Sequence, residues 1–266
     1  MFKKLYHVLL GVILPLIPMT SFAWGVTGHR VVAEIASRHL TPQARKAIAA
    51  LLGQQSMAMV ANWPDFIKSD TTHVYDHTSP WHYLDFPANV DRTQFDEELK
   101  KHTTGENLYA QTEALIKKLK DPAVSKADKV FALTFLIHMI GDMHQPLHIG
   151  RDEDQGGNKI NVMWFDKQSN LHRVWDEQLI EFQQLSYTEY TKALDTASAV
   201  QVRKIQSGSI ADWMYDSNQL SNKVYALTHA NDKLSYRYNY WFIGDLNGQL
   251  LKGGLRLAAL LNQIYK

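Results

Sequence analysis

His138, Asp142, His144, Pro146 and His148 fall within eleven residues at the end of a long apolar run, and this stretch restricts the chain more than any other. Positions four apart share one face of an α-helix, so His138 and Asp142 can present an imidazole and a carboxylate to one point. Pro146 breaks a helix, so the chain turns there and His148 can swing back towards the same region. Before the pair, Val130, Phe131, Leu133, Phe135, Leu136 and Ile137 are apolar on nearly every side, the pattern of a helix at the centre of a bundle. A carboxylate beside such a core needs a cation to balance it. Imidazole with carboxylate is the ligand set of zinc or a similar borderline ion, and a cysteine-based site is excluded because the chain has no cysteine. His172 and Asp176 repeat the four-residue spacing.

The N-terminus points to a compartment. Lys3 and Lys4 precede an apolar run over 8–17 that closes on Ser21, Phe22 and Ala23, the layout of a cleaved secretory signal. The run falls short of the roughly 20 residues that a membrane span needs. The expected mature chain is therefore 24–266, periplasmic or secreted, beginning at Trp24. Without disulfides, an exported chain has metal binding as a natural staple. Its length, with 45% hydrophobic residues, allows one large core and does not require a second domain. A formal net charge of +1 supplies no global basic field, so a phosphate substrate must be met by local charge or by metal.

The rest of the pattern predicts an all-α, multi-helix bundle with one short β-hairpin. Val31, Val32, Ile35 and Ala36 stand at helical spacing and place His29 early in a helix. Thr41 and Pro42 start a helix that Gly53 ends, and Ser125 opens the central one. Residues 159–165 alternate like a strand before a turn, Ser186 and Glu189 cap a later helix, and 210–227 and 235–265 read as further helices. Gly253 and Gly254 predict an interruption in the last, and Trp213 and Trp241 are assigned to the core. The aromatic segment 81–85 is expected to be extended, and His73, His77 and His102 to face solvent. Asp65 and Lys68 stand three apart.

With these positions placed, the sequence resembles the S1/P1 nuclease family of zinc-dependent single-strand nucleases. The resemblance runs from Trp24 through the C-terminal helices and implies the helical fold shared with bacterial zinc phospholipase C, with three zinc ions in a cleft. It implies one zinc on Asp65, His82, His138 and Asp142, and a second on His148, His172 and Asp176. The third is implied on Trp24, through its free α-amino nitrogen and carbonyl oxygen, on His29, and on Asp142 as a bridge. Asp65, Lys68 and Asp142 become the expected catalytic set. Tyr83, Asp85, Gly157 and Asn158 become the expected nucleotide pocket, with Tyr83 as a stacking ring. Pro64 departs from the small residue many relatives carry before the aspartate.

The implied activity is endonucleolytic hydrolysis of single-stranded DNA and RNA to 5′-phosphate products; 3′-nucleotidase activity stays open. The implied enzyme is a monomer whose partners are its nucleic acid and nucleotide substrates, with no stable membrane association once the signal is cleaved. A zinc phospholipase C is the nearest alternative, but enzymes of that kind carry Glu where this chain has Asp176 and lack the loop of Gly156, Gly157 and Asn158. A non-catalytic zinc-binding helical protein is another, and it leaves Lys68 unexplained.

Overall fold

The structure is a computed structural model that describes residues 24–266, so the signal segment expected at 1–23 lies outside the described residues. The chain opens with α1 (Val26–Arg38) and α2 (Pro42–Leu52). Thr41 accepts a hydrogen bond from the Ala44 amide, Pro42 sits in the first turn where no amide hydrogen is needed, and Gly53 leaves at φ 64°. Two single turns follow, α3 (Met57–Val60) and α4 (Trp63–Phe66), then the 3-10 turn Ile67–Ser69. Pro64 stands in the first turn of α4, so it helps to start the turn that carries Asp65.

The segment expected to be extended through 81–85 is only partly so. A 3-10 turn, Asp76–His82, runs to His82. Beyond it the backbone extends, and the Leu84 and Phe86 amides donate to the carbonyls of His148 and Gly150, each at 2.9 Å. These two bonds fasten the His82 segment beside the turn that carries His148. The next helix, α5 (Arg92–Lys101), has only Phe95 and Leu99 buried, too few to stand out as an apolar period.

α6 (Leu108–Lys120) is capped by Asn107, and α7 (Lys126–Met143) by Ser125. Every residue of α7 from Ala132 to Met143 is buried. Each large apolar side chain there contributes about 1.5–3 kcal/mol of burial free energy, which holds the helix rigidly in place. The 3-10 turn Pro146–Ile149 follows, as the proline requires.

The expected hairpin is β1 (Asn161–Trp164) and β2 (Lys167–Asn170), antiparallel with Asn161 opposite Asn170. A third strand, β3 (Lys233–Leu234), adds parallel to β1, and at two residues it is too short to leave a periodic trace. Next come α8 (Leu171–Arg173), the π-helical segment Val174–Gln178 and α9 (Leu179–Glu181). α10 (Tyr187–Leu194) has the expected capping box of Ser186 and Glu189, while α11 (Ala199–Gln206), with no buried residue, was not foreseen. α12 (Ile210–Ala226) and α13 (Tyr236–Ile264) finish the bundle.

Three expectations are corrected here. α13 runs unbroken through Gly253 and Gly254, because these glycines serve packing rather than a break. A Cβ on Gly254 would stand 2.5 Å from Ile35 Cβ, and one on Gly253 would stand 3.2 Å from Val32 Cγ2. Two glycines cost the helix about 1 kcal/mol each in propensity and in return let α1 lie directly on α13. Trp241 is 46% exposed, one position off the inward row of Tyr238, Phe242 and Leu246, whereas Trp213 is buried as expected. His102 is half-buried rather than in solvent. Among the described residues no helix is long and apolar enough to cross a membrane.

Candidate metal centre

Helix α7, the turn after it, α1, α4 and the π segment converge on one buried region. Three groups of ligand atoms lie there: His29, His138 and Asp142; Asp65, His82 and His138; and His148, His172 and Asp176. In each group the atoms fall within 4.8 Å of one another and all residues are buried. Eight of the nine expected metal ligands are thus brought together. The ninth, Trp24, is fully buried beside them: a Cβ on Gly141 would stand 2.7 Å from His29 Nδ1 and 3.7 Å from Trp24 Cδ1.

Asp142 divides its two oxygens. Oδ2 lies 3.0 Å from His82 Nδ1 and 3.1 Å from His138 Nε2. Oδ1 lies 3.2 Å from His29 Nε2, without hydrogen-bond geometry, and 3.9 Å from His148 Nδ1. Asp65 Oδ1 completes the first set at 3.8 Å from His82 Nδ1 and 3.7 Å from His138 Nε2. Lys68 Nζ, on the adjacent 3-10 turn, donates to that same oxygen at 2.8 Å. In the other set His172 Nε2 is 3.2 Å from Asp176 Oδ2, and His148 Nε2 is 3.5 Å from Asp176 Oδ1.

Imidazole tautomers show what these groups are built for. His138, His148 and His172 each donate Nδ1–H to a backbone carbonyl: Ala61 at 2.7 Å, His82 at 2.6 Å and Gly156 at 2.6 Å. Each neutral ring therefore turns an Nε2 lone pair inward, the orientation that supports a metal-binding histidine. His148 Nε2 and His172 Nε2 stand 3.2 Å apart, so two lone pairs face each other unless a proton or cation sits between them and Asp176. Two donors on one tetrahedral zinc stand roughly 3.3 Å apart, given bond lengths of about 2.0–2.1 Å. The donor set, its spacing and its tautomers fit zinc.

The corner from Asp142 to Gly150 is itself held from behind. Ser217 donates to the Met143 carbonyl at 2.6 Å, Gln249 to that of His144 at 3.0 Å, and Asn218 to that of Ile149 at 3.1 Å. His144 is not part of the donor set. Its Nδ1–H goes to the Ile140 carbonyl and its Nε2 accepts from Arg256, while burial and that guanidinium hold its pKa far below the ordinary value. These buried polar side chains of α12 and α13 were invisible in the sequence, since Ser, Asn and Gln on a helix carry no spacing signature.

The expected nucleotide pocket is partly assembled. Tyr83, next to His82, is 46% exposed. Asp85 Oδ1 is buried without a hydrogen bond and lies 3.3 Å from where a Cβ on Gly156 would be, which sets the Gly156–Gly157 loop against it. Burial raises the Asp85 pKa to about 7. Gly156 and Gly157 take φ of 59° and 82°, and a Cβ on Gly156 would stand 2.2 Å from the Leu147 carbonyl, so no other residue fits there. Asn158 Nδ2 donates to the Gln155 carbonyl at 2.9 Å.

Titration of this centre has a definite sign. Burial lowers His82 to about 4 and also lowers His29 and His144, so an unfolded chain takes up protons on these residues below about 6.5 while the fold does not. Against the cost of burial, Asp142 and Asp176 raise His148 to about 9, and Asp142 and Asp65 raise His138. That contribution is present below about 6.5 and is lost as pH rises towards 9. Chelated protein should melt highest near pH 6.5, with the melting temperature falling on both sides. Zinc held by this group would take the place of the His138 and His148 protons, so thermal melts of zinc-loaded protein should not decline between pH 6.5 and 9. An identical decline with and without zinc would break the assignment.

The S1/P1 Nuclease family model matches residues 24–266. Endonuclease 4 of Arabidopsis thaliana is 30% identical over 277 residues, which cover 92% of this chain and 90% of the relative. Nuclease P1 of Penicillium citrinum is 30% identical over 270 residues, 91% of this chain and 98% of the relative. Nuclease S1 of Aspergillus oryzae is 32% identical over 165 residues, 60% of this chain and 56% of the relative. With the family model spanning the whole described chain and the helical architecture agreeing, the protein belongs to the S1/P1 nuclease family.

Proposed function

We propose that this nuclease is an exported enzyme that holds three zinc ions and cleaves single-stranded DNA and RNA endonucleolytically, leaving 5′-phosphate ends. One observation carries the reading: Asp142, fully buried, addresses the Asp65–His82–His138 group with one oxygen and His29 with the other, next to the His148–His172–Asp176 group. Bound zinc supplies Lewis acidity towards water and phosphoryl oxygens. The remaining work falls to the chain. Asp65, Asp142 and Asp176 are held ionised below the ordinary carboxylate range, chiefly by the surrounding imidazoles acting against burial. Lys68, with its side chain a quarter exposed, orients Asp65 and keeps a positive charge where phosphate oxygens gain negative charge. Trp24 supplies its α-amino group once the signal has been removed.

Single-strand preference follows from Tyr83. An exposed ring can stack on a base only when that base is already unstacked, and such stacking tolerates any sequence. Asp85 and Asn158 offer hydrogen-bonding groups to the edge of the same base. Replacing Tyr83 with alanine should weaken mononucleotide binding by about 1–3 kcal/mol while zinc content stays at three per chain. Loss of zinc or of folding in that variant would make the ring scaffold. For the whole proposal, mature zinc-loaded protein is offered single-stranded DNA, RNA, duplex DNA and phosphatidylcholine. Rapid cleavage of the first two to 5′-phosphate ends is expected; faster hydrolysis of phosphatidylcholine would favour the phospholipase alternative.

A further inference from the structure

A cavity of about 470 Å³ opens between α11, α12 and α13, on elements that contribute no ligand to the metal centre. Its lining includes Lys204, Lys252 and Arg256 and a single carboxylate, Asp216, with Gln201 and Thr196 as neutral polar groups. Three cations and one carboxylate line the same cavity, in a chain whose overall charge is close to neutral. Arg256 is 5% exposed, and its Nε donates to the Ile205 carbonyl at 3.1 Å, its Nη1 to His144 at 3.1 Å and its Nη2 to Asp216 at 2.6 Å. A guanidinium has five N–H donors, so two remain. Lys252 Nζ stands 3.7 Å from the same Asp216 oxygen, and Lys204 is in no ion pair among the described residues. Even with Asp216 beside it, burial holds Arg256 below the ordinary arginine pKa, so its charge is under-compensated.

We propose that this cavity is an anion site that takes a phosphate group, either free or as the terminal phosphate of a nucleotide. A tetrahedral dianion matches the excess of two positive charges in the lining, and a guanidinium with spare N–H donors together with two ammonium groups suits its several oxygens. The contact of Arg256 with His144, two residues from Asp142, gives the occupied cavity a direct mechanical link to the metal-bearing corner. This inference is independent of how the metal centre cleaves its substrate.

Calorimetric titration of zinc-loaded protein with inorganic phosphate, and separately with a nucleoside 5′-monophosphate, tests the site. Two binding events are expected for at least one of these ligands, because the metal centre also attracts phosphate. A Lys204→Gln/Lys252→Gln double variant should lose one event, or weaken it at least about tenfold, with zinc content, melting temperature and phosphate-free cleavage unchanged. Lys204→Arg/Lys252→Arg should restore it. His148→Ala should remove the other event and keep this one. If the lost event belongs to inorganic phosphate the site reads the free ion, and if only to the mononucleotide it reads a nucleotide phosphate. A single event in the parent protein for both ligands, unaltered in the double glutamine variant, would overturn the proposal.

Discussion

Asp142→Asn should lower nuclease activity by about a hundred- to a thousandfold, the scale on which removal of one preorganised electrostatic contact registers, and should do so more severely than any other single ligand substitution. Among the described residues no other side chain addresses two ligand groups from its two oxygens. An amide removes the negative charge and offers one neutral oxygen, so His29 on one side and His82 with His138 on the other lose their common anion. Breaking a buried charge set also costs stability, about 3–5 kcal/mol when one partner is removed. Zinc analysis should show fewer than two ions per chain. Asp176→Asn is the comparison, since Asp176 serves one group only. Equal residual activity and equal zinc content in the two variants would refute the bridging role of Asp142.

Chelation should give the second large effect: complete loss of activity together with a fall in melting temperature. At ligand concentrations a hundredfold above the dissociation constant, each site stabilises the fold by about 2.7 kcal/mol. For a chain of this size one kcal/mol is worth roughly 2–4 °C, so each emptied site should lower the transition by about 5–10 °C. The ligands explain why the loss is global. They come from α1, α4, the segment ending at His82, α7, the turn after it, and the helical stretch 171–176, so ions bound there would cross-link elements distant in sequence. Differential scanning calorimetry before and after chelation, with zinc restored as control, measures this. A chelated protein that melts where the loaded one does would show the ions to be unnecessary to the fold.

The cluster of donor residues was legible because its chemistry has spacing. His138 with Asp142, and His172 with Asp176, carry their geometry in the sequence, and Pro146 announces the turn before His148. Helix caps were equally readable at Thr41, Ser125 and Ser186, where a short side chain meets a free amide. Elements that bury little were lost: α11 buries nothing, and α5 buries only Phe95 and Leu99. Gly253 and Gly254 misled because propensity speaks only of the local helix, whereas their purpose lies on α1, more than two hundred residues away in sequence. The bracket of Ser217, Asn218 and Gln249 was hidden for the same reason: a buried amide is recognisable only from the carbonyl that it meets.

The close seating of α1 on α13 has a consequence for the order in which the molecule comes into being. Synthesis makes α1, with His29, first and α13 last among the described elements. At roughly 5–20 residues per second, a nascent His29 precedes Asp176 by about 7–30 s, and the glycine pair that receives α1 arrives later still. His29 therefore waits through more than a hundred residues of synthesis for His138 and Asp142, and longer still for the helix on which α1 packs. A fragment that ends before Gly253 would contain every ligand and still leave α1 without its bed. Such truncated chains should retain less metal than the full chain even though no donor atom has been deleted, because the helix that carries His29 would lack the glycine surface on which it packs.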